Sequence, residues 1–546
     1  MALIFTELTN EFRNEADADL LENRCGMTNQ EIDTNSPMTE TDVLVIGGGG
    51  AGLAAAYEAA SKGAKVILLE KNTEPGGSTS WSVGSITATN TPHQHRAGIQ
   101  DSADAHFEDM EKHAGKLAPR DNLILRRILV DNTSGMVRWL MDLGVVFVGP
   151  APEPPHRVSR MHNVVPNSKS FAFHLTRTCR KLGVDIRTRV NTQQIVMQNG
   201  RATAVVTTLA DGSAHVFKAN RAIVLATGDY SAAPDLKTEL ASVAVGPVDA
   251  VNPTATGDGH RMARQLGATV INGDIVRGPI MRFIAPTRPN LLQKLPPHRW
   301  IAMLIALSAK WLPAFILRPF LMSFLTTAVS PSTDLYKEGG ILINKNGQRF
   351  TDELDKPNHD MAQQPERIGW IVFDDLVAQK FSAWPYFIST APGVAYAYLA
   401  DYRRNRPDIY HQADTLAALA DSMGVSETAL VQTVNSYNQS DRSKRPEISQ
   451  GPFYALGPVK SYVVFTDGGL KVDEQLRVIG SDEQPILGLF AAGSAGQGGL
   501  LLEGHGHHLG WAFISGRIAG INAASASASA SASASTSASA SDQGSA

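Results

Sequence analysis

The chain has 546 residues, which is long enough for two or three domains with a large core. Its 49 Lys and Arg residues nearly balance its 53 Asp and Glu residues, giving a formal net charge of −4, so no basic surplus points to nucleic acid. The two cysteines, Cys25 and Cys179, are too few for a disulfide framework and indicate a reducing, cytoplasmic setting. We therefore expect a small-molecule substrate.

Both ends of the chain are poor in core-forming side chains. Residues 1–40 show no basic leader followed by a long apolar run, so we expect a disordered arm and no secretory signal. Residues 523–546 are an Ala/Ser tract without large apolar side chains and are predicted to be a disordered tail. The folded part is expected to end near Asn522.

A nucleotide-binding motif opens the folded part. Val43–Ile46 is predicted to be a buried parallel strand, and Leu53–Ser61 has helical composition. Between them, Gly47, Gly49 and Gly52 fit the pattern G-x-G-x-x-G. In a strand-to-helix turn, such glycines permit a tight turn, close approach of a pyrophosphate to the backbone, and close packing of the helix. The N–H groups at the helix start then face the phosphate.

The next predicted strand, "AKVILLE", ends in Glu70. A carboxylate at this distance from the first glycine can accept hydrogen bonds from both ribose hydroxyls, which favours an unphosphorylated ribose. The motif by itself leaves FAD and NAD open.

Four later stretches resemble one flavoprotein superfamily. "EKNTEPGGSTSWSVGSI" resembles the flavin-contacting loop of the fumarate reductases and 3-ketosteroid dehydrogenases, the type 2 FAD-binding oxidoreductases. "RAIVLATGDYS", "GGILINKNGQRFTDE" and "TDGGLKVDEQLRVIGSDEQPILGLFAAGSAGQGG" follow in the order and spacing of that superfamily. The resemblance covers about residues 41–522. It implies an α/β fold and FAD as the cofactor, and the absence of a covalent-attachment His pattern predicts non-covalent binding.

The residues predicted to bind FAD lie at strand ends and helix starts that converge on one crevice. They are Gly47, Gly49, Gly52, Glu70, Lys71, Gly76, Gly77, Ser78, Thr79, Thr227, Gly228, Gly493 and Leu509. No second strand–GxGxxG–helix unit is evident in the sequence, which disfavours direct use of a nicotinamide. Electrons are therefore expected to pass to or from an external partner: oxygen, a quinone or a carrier protein.

The resemblance divides the chain into two folded domains. A discontinuous, Rossmann-like FAD-binding domain is expected over 41–265 and 455–522, with an α+β cap domain over 266–454 inserted between the two parts. The substrate should lie at their junction.

Within the cap, the apolar insertion 300–325 is nearly long enough to span a bilayer, but Lys310 and Arg318 lie inside it and prolines interrupt it. Two alternatives stay open. The insertion forms either buried cap helices around an apolar substrate chamber, or an interfacial hairpin in peripheral contact with a membrane through Trp300 and Trp311. Either one favours a lipophilic substrate.

The candidate catalytic segment is "EGHGHHLG". It resembles the closing motif of 3-ketosteroid dehydrogenases, in which backbone N–H groups meet the substrate carbonyl and a helix start faces the flavin. Its candidate catalytic residues are His505, Gly506, His507 and His508. A role of these histidines in helix capping or packing stays open, and no metal site is predicted here, since glycines interrupt the histidines and no Cys or Asp joins them.

Departures from both named families limit what can be carried over. The His before "T-x-GG" in fumarate reductases is replaced by Phe465, and no Arg follows "RFTDE" before Arg367. The catalytic Tyr of ketosteroid dehydrogenases falls on Leu502. The sequence therefore predicts dehydrogenation of a carbon–carbon bond next to a carbonyl of a lipophilic substrate, or the reverse reaction. The alternatives are a fumarate- or urocanate-type reductase of a conjugated acid, and a non-catalytic FAD-binding subunit.

Overall fold

The computed structural model describes residues 37–286, 295–311, 318, 322, 326, 329–391, 395–442 and 444–527. Most of the predicted N-terminal arm and Ala/Ser tail, together with Cys25, lies outside the described residues. The first strand begins at Met38, inside the segment expected to be an arm.

Helices are interspersed with single strands and with runs of consecutive strands along the chain. The strands are β1 Met38–Ile46, β2 Val66–Glu70, β3 Ser85–Thr87, β4 Val146–Ala151, β5 Met161–Val165, β6 Asp185–Thr188, β7 Asn191–Gln198, β8 Arg201–Thr208, β9 Ala214–Leu225, β10 Asp249–Ala250, β11 Val270–Ile271, β12 Val276–Arg277, β13 Ile280–Phe283, β14 Ile341–Asn344, β15 Gly369–Phe373, β16 Ser389–Ala391, β17 Ala395–Ala397, β18 Tyr410–Ala413, β19 Phe453–Val463, β20 Phe465–Thr466, β21 Gly469–Leu470, β22 Arg477–Ile479 and β23 Pro485–Ala491. The helices are α1 Gly50–Ser61, α2 Gly77–Trp81, α3 Pro92–Arg96, α4 Ala103–Ala114, α5 Leu123–Asp142, α6 Lys169–Lys181, α7 Pro234–Leu240, α8 Asp258–Gln265, α9 Arg299–Trp311, α10 Asp334–Lys337, α11 Pro357–Met361, α12 Asp375–Lys380, α13 Leu399–Asn405, α14 Leu416–Met423, α15 Glu427–Gln439 and α16 His507–Ser525.

The larger sheet has the doubly wound arrangement that the sequence predicts. Its strands run in the order β22-β23-β8-β9-β1-β2-β6, and β1 pairs in parallel with both β2 and β9. Val43, Leu44 and Val45 are fully buried because β1 lies between β2 and β9 in the sheet and is covered by α1 and α16. The α/β fold class is therefore confirmed.

Helix α16 packs directly on α1. Both helices present small residues at the contact, so their backbones approach closely. A Cβ on Gly516 would lie 2.3 Å from the carbonyl oxygen of Ala51, and one on Gly520 would lie 2.2 Å from that of Ala55. This packing fixes the C-terminal helix against the helix that begins at the glycine motif.

A second sheet forms the body of the cap region. Its order is β10-β19-β15-β14, with β13 and β18 also paired to β19. Side chains alternate along β14 and β15: Leu342 and Ile371 enter one core cluster, whereas Ile341 and Val372 enter another. Apolar residues cover both faces of this sheet.

Two elements cross the boundaries expected from the sequence. Strand β19 spans residue 455, so the predicted start of the second FAD segment lies inside the second sheet. Helix α16 runs to Ser525, beyond the expected end at 522, because Ala523 and Ala524 are buried and continue the helix. Alanine has the best helix propensity, so the start of the tract extends the helix.

The two halves of the apolar insertion lie in different places. Its first half forms α9, which packs against β4 and β5 and exposes Trp300, Leu304 and Leu307 by 64%, 59% and 57%. From the second half, Arg318 binds Asp401 at 2.7 Å. Residues 312–317, 319–321 and 323–325 lie outside the described residues. Among the described helices, none is both long enough and apolar enough to cross a membrane.

Candidate functional site

A cleft opens at the carboxyl ends of the central strands. It is lined by the turn after β1, the end of β2, the start of α2, the turn after β9, the loop before α8, and the segment after β23. Ten of the predicted FAD-binding residues line it: Gly47, Gly49, Glu70, Lys71, Gly77, Ser78, Thr79, Thr227, Gly228 and Gly493. The other three, Gly52, Gly76 and Leu509, are not among the lining residues.

The glycine turn has the geometry that a pyrophosphate requires. Gly47 has φ of +102°, and a Cβ there would lie 2.3 Å from the carbonyl oxygen of Ala226. A Cβ on Gly52 would lie 1.8 Å from the carbonyl oxygen of Gly47, so only glycine lets α1 pack this closely on the turn. A Cβ on Gly49, in contrast, would meet no atom within 4 Å and would project into the space a ligand would fill.

The acidic residue at the end of β2 is held in place by the same turn. Glu70 is 4% exposed, and its Oε2 accepts a hydrogen bond of 2.6 Å from the Gly48 N–H. Its Oε1 accepts from the backbone and side chain of Asn72, each at 2.8 Å. Each carboxylate oxygen has further lone pairs, so Glu70 can still accept from a ribose hydroxyl. Its neighbour Lys71 binds Asp258 at 2.7 Å.

Polar groups along one wall of the cleft have spare hydrogen-bonding capacity. The buried Oγ1 of Thr227 has no partner among the described residues, and a Cβ on Gly228 would meet no atom within 4 Å. Thr79 accepts from the Gly50 N–H at 3.0 Å, and Ser78 accepts from Asn252 at 2.8 Å. An extended cofactor along this wall would satisfy Thr227, and the residues present therefore fit FAD.

Helix α16 links this cleft to the candidate catalytic segment. Ala512 lines the cleft, and His508 precedes it by about one helical turn. Gly506 caps the helix with φ of +92°, where a Cβ would lie 2.5 Å from the Thr87 nitrogen. The side chain of Leu509 enters the core, whereas its N–H belongs to the first turn, whose donors have no partner within the helix.

The three candidate histidines point to three different places. The His505 side chain is 71% exposed, and its Nδ1 lies 2.5 Å from Glu153 Oε1. The same oxygen accepts from the His505 N–H at 2.7 Å. The hydrogen bond to Glu153 raises the pKa of His505 above its ordinary value. An imidazolium held by a carboxylate can donate a proton near neutral pH.

His508 packs against Phe465, the residue that replaces the histidine of the fumarate reductases in the sequence resemblance. Its ring lies 3.9 Å from the ring centroid of Phe465, and its Nε2 lies 3.5 Å from Asp467 Oδ1. Burial lowers the pKa of His508 to about 4, so the imidazole is neutral at pH 7. A neutral imidazole can donate one hydrogen bond to a substrate carbonyl without carrying charge.

Arg277 lies between two carboxylates beside His508. It contacts Asp467 at 2.5 Å and also forms an ion pair with Glu503. Burial raises the pKa of Glu503 despite that ion pair. Both terminal nitrogens engage carboxylates, so the charge of Arg277 is neutralised and only its buried Nε lacks a partner among the described residues.

His507 is buried away from both neighbours. Its Nδ1 contacts the Glu503 carbonyl oxygen, and its Nε2 lies 3.0 Å from His106 Nε2. Burial lowers the pKa of His507 to about 4. His507 therefore belongs to the interior beneath the segment, and His505 and His508 are the candidates for contact with substrate.

Sequence reasoning missed the partners of these histidines. They are Glu153, Asp467, His106 and His156. Glu153 and His156 lie in "APEPPHR", a proline-rich loop with no recognisable motif. The one sequence signal in that loop is its cluster of ionisable residues. The contacts themselves could not be predicted, because contacts between segments hundreds of residues apart leave no local pattern.

Fold and site together define an FAD-binding flavoprotein. The family described as FAD binding domain matches residues 42–279 and 308–501, and the chain belongs to that family. It is an FAD-dependent oxidoreductase, and its relatives include fumarate reductases.

Two curated relatives show the range of activities around it. A probable fumarate reductase, Ifc3, of Shewanella frigidimarina is 26% identical over 509 residues, which cover 89% of this chain and 75% of that protein. A vinyl phenol reductase of Lactiplantibacillus plantarum is 28% identical over 520 residues, covering 88% of this chain and 96% of that protein.

Solved structures agree with the fold. The open conformation of a flavocytochrome c3 fumarate reductase matches with a TM-score of 0.66 at 25% identity, covering 90% of this chain and 79% of that one. A 3-ketosteroid-Δ4-(5α)-dehydrogenase from Rhodococcus jostii RHA1, in complex with 4-androstene-3,17-dione, matches with a TM-score of 0.54 at 24% identity, over 91% of this chain and 99% of that one. The second likeness supports the fold alone.

Proposed function

We propose that the protein oxidises or reduces a carbon–carbon bond adjacent to a carbonyl in a neutral, lipophilic substrate such as a ketone or enone. The observation that carries this proposal is the pairing of Phe465 with His508, at 3.9 Å between ring centroids, beside an Arg277 that is engaged by Asp467 and Glu503. An apolar ring and a neutralised cation favour a neutral carbonyl over a carboxylate. The vinyl phenol reductase among the relatives also supports reduction of a substrate other than a dicarboxylate.

Different residues of the chain would bind the substrate and transfer the proton. Bound FAD would supply the centre that accepts or gives hydride. His508, held between Phe465 and Asp467, would donate a hydrogen bond to the substrate carbonyl. His505, paired with Glu153, would carry the proton added or removed at the carbon next to that carbonyl.

An anaerobic flavin titration tests the proposal. We expect saturated ketones to bleach the oxidised flavin, or enones to reoxidise the chemically reduced flavin, with fumarate and urocanate at least tenfold less efficient. A clear preference for the conjugated acids over neutral enones in both directions would refute it.

Variants test the assigned residues. Under this proposal, His505→Ala should lower turnover by about 10²–10⁴-fold, the usual scale for a lost acid–base group. His508→Ala should lower it by about 10²–10³-fold, the scale for a lost hydrogen-bond donor to a developing oxyanion. Both variants should retain flavin. Gly506→Val should also lower turnover, since a side chain there collides with Thr87. Near-normal turnover in both His variants would assign these histidines to structure.

Reduction of a conjugated acid is a second candidate, and one observation favours it. Arg282 has a buried Nε without a partner among the described residues, and its charge acts on the His505 imidazole. The unpartnered Nε–H of Arg282 could donate a charge-assisted hydrogen bond to a substrate carboxylate. If the acid is the substrate, Arg282→Met should raise the KM for fumarate at least tenfold and leave enone turnover unchanged.

We propose non-covalent FAD and an external electron donor or acceptor for the same site. Acid precipitation should release all of the flavin into the supernatant. Flavin that stays with the pellet would contradict non-covalent binding. Stopped-flow mixing of reduced enzyme with oxygen or a soluble quinone should show which acceptor reoxidises it.

A further inference from the structure

Three buried histidines from distant segments meet beneath the candidate catalytic segment. His106 lies in α4, His156 in the loop after β4, and His507 at the first residue of α16. Ligand-capable nitrogens of the three lie within 4.8 Å of one another. His106 and His507 are fully buried, and His156 is 9% exposed.

The hydrogen bonds around the rings leave nitrogen atoms directed at one another. Since the Glu503 carbonyl can only accept, His507 Nδ1 carries the proton and Nε2 has a free lone pair. That lone pair faces His106 Nε2 at 3.0 Å. His106 Nδ1 and His156 Nε2 are buried without partners in the described part of the chain.

The charged residues near the three histidines do not occupy the space between the rings and do not prevent a cation from binding there. Arg160 donates from Nη1 to His156 Nδ1 at 2.9 Å, and it is itself paired with Asp101 and Asp109 at 2.7 Å and 2.6 Å. Ligation through His156 Nε2 requires the His156 proton to sit on Nδ1, so the contact with Arg160 must open. Arg160 keeps its ion pairs with Asp101 and Asp109 when this contact opens.

We propose that His106, His156 and His507 form a binding site for a divalent transition-metal ion of the Zn²⁺ class. Three imidazole nitrogens with one position left for water are a common Zn²⁺ ligand set. The Glu503 carbonyl that orients His507 is the kind of outer partner that fixes a ligating ring. The ion would tie α4, the loop after β4 and the start of α16 together, and so hold the candidate catalytic segment against the FAD domain.

Calorimetric titration of the flavin-loaded protein with ZnCl₂ tests the proposal, using a preparation without a polyhistidine tag. We expect one saturating equivalent in the wild type. His106→Asn and His156→Gln should weaken Zn²⁺ binding by more than about 100-fold, since loss of an outer partner alone costs about 10–100-fold. His95→Ala is the matched control, because His95 is an exposed histidine bonded to Asn90 at 2.6 Å and should leave binding unchanged.

A second measurement uses only the wild type, so it tests the proposal even if the cluster variants fail to fold. Zinc-edge X-ray absorption of the loaded protein should show three imidazole-type nitrogen ligands. An absence of saturable binding in the wild type, equal affinity in folded cluster variants, or a shell without imidazole would each overturn the proposal. Because every readout is metal binding, its failure is distinct from failure of the proposed reaction.

Discussion

At the scale of single residues, two carboxylates each accept several hydrogen bonds. Glu70 organises the glycine turn through Gly48 as well as offering oxygens to a ribose. Glu153 serves both the backbone and the ring of His505. Each carboxylate therefore positions a backbone segment as well as a functional group.

Replacing Glu70 by Ala should weaken FAD binding. The change removes a charge-assisted acceptor, and such hydrogen bonds contribute about 1.5–3 kcal/mol, or about 10- to 150-fold in affinity. Fluorescence titration of the apoprotein with FAD measures the loss. Glu74→Ala, an exposed neighbour, is the control. Equal affinity in the two variants would remove Glu70 from the cofactor site.

The pH dependence of reduction should report the pair of His505 and Glu153. The carboxylate raises the pKa of His505, so the imidazolium is present at low pH and is lost as pH rises through a value above 6.5. If His505 donates the proton, kcat/KM for enone reduction should fall through that same range. Glu153→Gln removes the first cause of the shift and should move the alkaline limb to lower pH. A limb that does not move would rule out this pair as the acid.

At the scale of elements, α16 does two tasks. Its first turn carries the candidate catalytic segment, and its body packs on α1, the helix that begins at the glycine motif. Its last turn is tied to the sheet, since Arg221 donates to the Ala524 carbonyl at 2.6 Å. The end of the chain therefore stabilises the cofactor domain up to the last turn of α16.

Two truncations separate the helix from the Ala/Ser tract. Ending the chain after Ser527 should leave the melting temperature unchanged, because the removed residues are small and polar or alanine. Ending it after Asn522 removes buried Ala523 and Ala524 and the contact with Arg221, so the melting temperature should fall by several degrees. Equal melting temperatures of the two proteins would show that the last turn contributes nothing.

Helix α9 presents an exposed apolar face, with Trp300, Met303, Leu304 and Leu307 each more than half exposed. We propose that this face makes peripheral contact with a membrane surface, from which a lipophilic substrate could enter. The protein should co-sediment with neutral phosphatidylcholine vesicles, and Leu304→Lys with Leu307→Lys should lower the bound fraction at least tenfold. Val243→Lys, at an exposed apolar position elsewhere, is the control. Binding that none of these changes alters would exclude α9 as the contact.

At the scale of the whole molecule, the cofactor cleft joins segments from both parts of the FAD-binding domain. Residues 46–79 and 226–262 form one side, and 492–494 with Ala512 complete it from the C-terminal part. FAD should therefore stabilise the native state by mass action. Apoprotein should melt several degrees below holoprotein, and added FAD should restore the difference. Identical melting curves would mean that the cofactor does not bridge these segments.

The sequence by itself determined the fold class and the dinucleotide-binding turn, and its resemblance to the flavoprotein superfamily then favoured FAD over NAD. A strand, a glycine turn, a helix and a terminal carboxylate lie within thirty residues of one another, and local backbone geometry requires those residue types in that order. For this reason ten of thirteen predicted FAD residues line the cleft. The motif also identified Gly52, which does not line the cleft but allows α1 to pack closely on the glycine turn.

Only the tertiary structure decided what the histidines of "EGHGHHLG" contact. Adjacent residues at the start of a helix point in different directions, so His507 turns inward to His106, 401 residues away, while His508 meets Phe465. Arg277 and Glu503 likewise pair across the chain. Burial and long-range packing set these contacts, and neither leaves a periodic signal in the sequence. The sequence also left two interpretations of the apolar insertion 300–325 open, because its composition suits both a buried core and an exposed apolar face.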